Sequence, residues 1–252
     1  MAHKTLIDGT AYKIKGGRDL IGGTGYAKKN GKALINGTAY DIPLSKGVLL
    51  NTITPGAILM LNESGSPVPF YIAKHDYESG LNGAGRTLLV RKDCYDMRDF
   101  SGGSSAYASS YLDSWLCNTY LKLLDADIQA AIGMTKFYYT IGDGNSTVTT
   151  LQRAVFQLSV TELGKRASYA NTEGSALPIA STLQIAYRNG SAVAQWTRTP
   201  ATFRTNLIFV LYNSGVATYT TYNDSNGSRP AFSVPATIAA IANADGTYSI
   251  AA

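Results

Sequence analysis

The chain has 252 residues. It is 45% hydrophobic, which excludes wholesale disorder, but only 15% charged, against about 25% in an ordinary soluble domain. Gly (25) and Tyr (17), with Ser, Thr and Asn, take the polar share, a mixture that favours strands, turns and ordered loops over helical bundles. Two cysteines (Cys94, Cys117) and two histidines (His3, His75) exclude a disulfide scaffold, a four-cysteine zinc site and a multi-histidine centre. The formal charge of +5 sits wholly within residues 1–46, since the remaining basic and acidic residues balance.

Residues 1–46 hold an internal repeat. Leu6-Ile7-Asp8-Gly9-Thr10-Ala11-Tyr12 recurs as Leu20-Ile21-Gly22-Gly23-Thr24-Gly25-Tyr26 and as Leu34-Ile35-Asn36-Gly37-Thr38-Ala39-Tyr40. Asp-Gly, Gly-Gly and Asn-Gly between short apolar runs are turn signals, because such turns need positive φ, so each copy predicts one short hairpin. Units this small bury too little surface to stand alone and must pack on a neighbour. Their lysines alternate with Gly turns and lack a stacking platform, so nucleic acid is not an expected partner. The opening residues contain no secretory h-region. The longest apolar run, Leu207–Tyr212, is far short of the roughly 20 residues that span a bilayer, so no membrane insertion is expected.

Pro43-Leu44-Ser45-Lys46-Gly47 breaks the repeat and predicts a domain boundary, giving a leader at 1–46 and a domain at 47–252. Within the domain, Ile58–Leu61, Val68–Ala73 and Thr87–Arg91 read as strands, the first two joined by a turn over Glu63–Pro67. From Tyr111 the period changes: Leu112, Trp115, Leu116, Tyr120, Leu123, Leu124, Ile128 and Ile132 share a helical face. Ser110 is placed to cap the first helix and Asp125 a second, and Ser159-Val160-Thr161-Glu162 predicts one further helical turn. From Tyr187 onward short strands return, around Trp196, Leu207–Tyr212, Val216–Tyr222 and Arg229–Phe232. Strands, then helices, then strands with long loops predict an α+β domain.

An ordered set of motifs then carries a resemblance. It runs from Phe70-Tyr71-Ile72-Ala73 through Tyr111-Leu112-x-Ser114-Trp115-Leu116 to Val155-Phe156-x-Leu158-Ser159-x-x-Glu162-Leu163. Gln195-Trp196-Thr197-Arg198-Thr199-Pro200 and Gly227-Ser228-Arg229-Pro230-Ala231-Phe232 complete it. Over residues 48–236 the chain resembles a domain of unknown function frequent in bacterial surface proteins and prophage virion proteins. That domain is similar to the C-type-lectin-like fold in its formylglycine-generating-enzyme-like form. The leader resembles repeats that precede the domain in prophage structural proteins, and a further relative of the fold is the diversified receptor-binding tip of some phages.

The resemblance implies a virion protein of the tail- or head-fibre type, made in the bacterial cytoplasm, whose leader attaches it to other virion proteins. It also implies a homotrimer whose lectin-like domain meets a host surface glycan or protein. A decoration protein that binds no receptor is the alternative, and a divergent enzyme relative the second. Against enzyme chemistry, the cysteine pair that formylglycine-generating relatives need near the C-terminal end is missing, because no cysteine follows Cys117. His75-Asp76 has no nucleophile motif beside it. Calcium is the one cofactor to weigh, but no glycine supports a calcium loop within Asp93, Asp96 and Asp99, where Arg98 also offsets a charge, and Asp143-Gly144-Asn145 reads as a turn before a metal ligand. Recognition is expected on the C-terminal loops through Tyr187, Asn206, Tyr212, Tyr219, Tyr222 and Asn223, because Tyr among Ser, Asn and Gly is the chemistry of adaptable binding loops. Trp196 and Phe232 are expected to be core anchors.

A chain cut to residues 47–252 is expected to fold but to lose oligomerisation or particle attachment. Its mass in solution and its retention on particles check this. A full-length mass together with normal decoration would remove the attachment role from the leader.

Overall fold

The structure, a computed structural model, describes residues 47–250 and six four-residue strands within residues 4–41. The chain divides into two compact units, Met1–Lys46 and Gly47–Ala252. In the first unit each 14-residue copy is one antiparallel hairpin. Lys4–Ile7 pairs with Thr10–Lys13, Arg18–Ile21 with Thr24–Ala27, and Lys32–Ile35 with Thr38–Asp41. The innermost pairs, Ile7 with Thr10, Ile21 with Thr24 and Ile35 with Thr38, repeat one register, as a sequence repeat with a two-residue turn requires. The turn residues themselves lie outside the described residues.

The second unit is mixed α+β, mostly strand with a few short helices, in open sheets. Its large sheet has eight strands in the spatial order Val155–Phe156, Ala231–Pro235, Arg86–Arg91, Ser66–His75, Ile58–Glu63, Tyr248–Ile250, Ala239–Ala242, Val48–Leu49. The predicted hairpin at its centre closes through Ser64 and Gly65, both at positive φ, 52° and 78°, the conformation a tight two-residue turn demands. Ile58–Glu63 alternates between half-buried and buried positions, so one of its faces lies on the core. A second sheet of five strands runs Met97–Arg98, Asn226–Gly227, Gln195–Pro200, Leu207–Leu211, Ala217–Thr221.

The helical region lies at Tyr111–Asn118 and Ala126–Ala131, with the 3-10 turn Tyr120–Leu123 between them. Leu112, Leu116, Tyr120, Leu124 and Ile128 are buried along the predicted face. Ser110 caps the first helix, its Oγ accepting the Asp113 N–H at 3.0 Å. The Asp113 carboxylate instead takes the Arg153 Nε–H at 2.8 and 2.9 Å, and burial still holds its pKa up at about 6. Asp125 stands at the cap position of the second helix, but its carboxylate accepts from Asn62 Nδ2 and makes no cap bond.

Two parts of the fold differ from the expectation. A long hairpin, Thr135–Gly142 with Asn145–Arg153, follows the helices where no strand was predicted. Its second strand is largely exposed and rich in Ser, Thr and Asn, so it lacks the apolar alternation that announces a strand. Beyond residue 236, Ala239–Ala242 and Tyr248–Ile250 complete the large sheet.

Trp196 and Phe232 are fully buried. Trp196 packs on Phe100 with ring centroids 5.4 Å apart and donates its indole N–H to the Arg98 carbonyl at 2.8 Å. Phe232 lies 5.4 Å from Phe70 in the large sheet. Trp196→Ala and Phe232→Ala are each expected to cost about 3–5 kcal/mol of folding stability, measured by denaturant unfolding.

Candidate functional site

The site is built on a long irregular segment, residues 157–179, that has no sheet ladder of its own. Its first turn is the predicted one. Ser159 Oγ accepts the Glu162 N–H at 3.1 Å, and a Glu162 carboxylate oxygen accepts the Ser159 N–H at 2.8 Å, a complete capping box. The turn ends at once: the Lys165 N–H returns to the Val160 carbonyl and the Gly164 N–H to Thr161, with Gly164 at φ 72°. This is the Schellman arrangement, which stops a helix.

Below this turn lies a fully buried ionic cluster. Arg198 Nη1 donates to Glu162 Oε2 at 2.6 Å and to the Gln157 carbonyl at 2.9 Å, while Nε donates to the Tyr138 carbonyl at 2.9 Å. The other Glu162 oxygen accepts the Tyr77 hydroxyl. Glu173 approaches Arg198 Nε to 3.9 Å and accepts from the Thr140 N–H and the Thr199 hydroxyl at 2.7 Å each. The Phe137 ring centroid lies 4.6 Å from the guanidinium carbon.

Burial pulls the Arg198 pKa down, and Glu162 more than offsets it, so the guanidinium ends above its ordinary value. Burial raises the Glu173 carboxyl, with Arg198 acting against it, and burial together with Glu162 drives the Tyr77 phenol well up. Gly174 follows Glu173 at φ 87°, and a Cβ there would stand 3.0 Å from Glu78 Oε1. Only glycine suits that position.

Arg229 is the second buried guanidinium. It donates to the carbonyls of Arg91, Leu183 and Lys92 at 2.6–2.9 Å and has no ion pair among the described residues. Both arginines of the Trp-x-Arg and Arg-Pro motifs therefore hold loops in place.

The other residues considered for chemistry are also committed to structure. His75 Nδ1 is bonded to Thr87 Oγ1 at 2.9 Å and Nε2 to the Ile53 carbonyl at 2.8 Å. Asp96 is taken up by Arg98 and by the Ser228 hydroxyl. Asp143 accepts from Ser104 and from the Ser105 N–H. Asp224 accepts from Thr220 and Thr221, which makes Tyr222-Asn223-Asp224 a turn. Cys94 and Cys117 are unbridged, and burial pushes the Cys94 thiol up to about 11. No group of three His, Cys, Asp or Glu side chains converges among the described residues.

The six residues expected to form the binding face do not come together. Tyr187 is exposed on the small hairpin Ala186–Arg188 with Ser191–Val193. Tyr212 is exposed at the turn joining Leu207–Leu211 to Ala217–Thr221. Asn206 and Asn223 are exposed at the other end of that strand pair, where the Tyr222 N–H donates to the Asn206 carbonyl. Tyr222 is half-buried and packs on the main core, because its carbonyl must take the N–H groups of Phe100 and Ser101.

Tyr219 alone joins an exposed aromatic group, made with Tyr169 and Phe203. Centroid separations are 4.5 Å for Tyr169–Phe203 and 5.3 Å for Phe203–Tyr219, and the three residues are 56%, 39% and 43% exposed. Tyr219 also rests edge-on against buried Phe209 at 5.8 Å. Tyr169 has φ 68°, uncommon for a bulky side chain, and its carbonyl takes the Thr202 N–H and hydroxyl. Sequence reasoning missed Tyr169 and Phe203, which stand alone in polar loops. The usable signal was an aromatic in a stretch with no apolar period.

Comparison with known families adds one match: residues 84–236, more than half of the chain, fit the family described as Domain of unknown function (DUF6273). The chain belongs to this family. The DUF6273 segment takes in Arg198 and Arg229, the ionic cluster apart from Tyr77, and the Tyr169–Phe203–Tyr219 group. No curated protein and no solved structure matches the chain.

The cluster generates a test. Glu162→Gln strips Arg198 of its close counter-charge and is expected to cost about 3–5 kcal/mol, the range for breaking a buried pair. Tyr77→Phe removes one hydrogen bond and should cost only about 1–2 kcal/mol. Denaturant unfolding of both variants checks the order.

Proposed function

We propose that the protein is a non-enzymatic, virion-associated adhesion protein of the phage fibre type. In this reading residues 47–252 form a C-type-lectin-like recognition domain and the leader joins the protein, as a homotrimer, to other virion proteins. The observation that carries the reading is the exposed Tyr169–Phe203–Tyr219 group, in which Tyr169 comes from a segment held by a buried ionic cluster and Tyr219 from the five-stranded sheet. Rigid aromatic area on a pre-organised loop is what a recognition surface needs, because binding then costs little further ordering. The hairpin repeat supports the attachment role, since three small units of one register gain stability by packing on something larger. The bonded state of His75 and Asp96 and the burial that keeps the Cys94 thiol protonated weigh against an enzyme reading.

The test uses Phe203→Ser and Tyr219→Ser, with Tyr212→Ser as an exposed variant away from the aromatic group. All three should unfold within about 1 kcal/mol of the parent. The first two should weaken adsorption of the purified protein or its particles to host cells at least tenfold, and Tyr212→Ser should not. Folded variants that adsorb normally would make decoration without receptor binding the better reading.

A further inference from the structure

A cleft of about 580 Å³ opens in the same segment, within the size range of small-molecule sites. Its lining comes from Thr161, Gly164–Ala167 and Ala170–Ala176 apart from Glu173, so one stretch of chain makes the whole wall. The charged side chains in that lining are Lys165 and Arg166, and neither makes an ion pair with any described residue. The remainder is small or hydroxyl- and amide-bearing: Gly, Ala, Ser, Thr and Asn.

The carboxylates of the same segment do not neutralise the two cations. Glu162 and Glu173 are fully buried and bonded to Arg198, Tyr77, Thr140 and Thr199. Glu78, a third carboxylate near the segment, does not line the cleft; its Oε1 is buried 3.0 Å from where a Gly174 Cβ would stand and accepts no hydrogen bond among the described residues.

The wall is also rigid. Asn171 Nδ2 donates to the Ser146 carbonyl at 2.6 Å, and the Glu173 N–H donates to Thr161 Oγ1 at 3.1 Å. Ala167 and Ala170 pack on the small cluster of Val160, Ala201 and Phe209. Tyr169 sits between these two alanines in the chain, so the exposed ring and the cationic cleft belong to one loop. Arg204 adds a third cation, its guanidinium carbon 5.8 Å from the Phe203 ring centroid.

Two cations without an ion pair among the described residues, over a hydroxyl-lined wall whose loop also carries the exposed Tyr169, match one ligand chemistry. We propose that this cleft binds an acidic saccharide unit, with its carboxylate or phosphate held by Lys165 and Arg166 and the apolar face of a sugar ring laid on Tyr169. Arg supplies a forked donor and Lys a point charge, so either acid group is served. Sugar rings offer C–H faces to aromatic rings, whereas an inorganic anion offers none. The inference deepens the adhesion reading by naming the class of receptor.

The experiment titrates the full-length protein with sialyllactose, a glucuronic-acid disaccharide, glucose 6-phosphate, neutral lactose and inorganic phosphate, following binding by calorimetry or ligand-observed NMR. At least one acidic sugar is expected to bind ten or more times more tightly than lactose and than phosphate. Lys165→Gln/Arg166→Gln should remove that preference at an unchanged unfolding midpoint. Tyr169→Gly, which suits the positive φ, should weaken the sugar about tenfold while leaving phosphate unaffected.

The proposal is overturned by equal binding of lactose, by phosphate binding as tightly as every acidic sugar, by no binding across the panel, or by a double variant that binds as before. Host adsorption separates the two readings. A double variant that adsorbs normally while Phe203→Ser does not would remove the acidic saccharide and leave the adhesion surface standing.

Discussion

The guanidinium of Arg198 is the point on which the rest of the domain turns. It comes from the five-stranded sheet and is fully buried, yet its bonds reach the Tyr138 carbonyl in the long hairpin and both Gln157 and Glu162 in the irregular segment. Taking such an ion out of water costs several kcal/mol, which the paired carboxylates must offset. What the arrangement contributes is uniqueness. A planar fork on the five-stranded sheet, with bonded partners on the long hairpin and the irregular segment, can make those bonds in one relative placement of the three elements and in few others. The irregular segment from 157 to 179 has no ladder hydrogen bonds to fix its course, and Arg198 and Glu162 do the work that a sheet register does elsewhere.

That constraint orders the exposed surface. The capping box puts Glu162 where Arg198 can reach it, and Gly164 ends the turn so that Lys165 and Arg166 face the cleft. Val160 packs with Ala201 and Phe209, and Phe209 supports Tyr219 from below. The chain of support runs from buried charge through a capped turn to an exposed aromatic group. Each step uses short-range chemistry, and the result is a surface that does not have to be ordered when a partner arrives.

The sequence was legible where local chemistry and burial agree. Asn-Gly and Asp-Gly spacing gave the leader hairpins, the 3–4 spacing from Leu112 gave the helical face, and Ser159 with Glu162 gave the capped turn. Trp196 and Phe232 were readable as core because large aromatics among β-branched and small residues are seldom left in water. The strand Asn145–Arg153 was not readable, because an exposed strand of Thr, Ser and Asn has the composition of a loop. The exposed aromatic group was legible in kind but not in place. Tyr-rich loops pointed to exposed aromatic chemistry, yet which tyrosines meet depends on the placement of the 157–179 segment on the sheet. That placement comes from a contact between residues 36 positions apart, Glu162 and Arg198, which no local pattern encodes.

The large sheet stops on both sides in strands of two residues, Val155–Phe156 at one edge and Val48–Leu49 at the other. An open sheet of eight strands is ordinarily a template on which a further strand can dock through unpaired backbone groups. Two residues offer too few of them to hold an incoming chain in register. Copies of the protein crowded side by side therefore find little purchase at these two edges of the large sheet. The brevity of these two strands is what withholds the large sheet from that use.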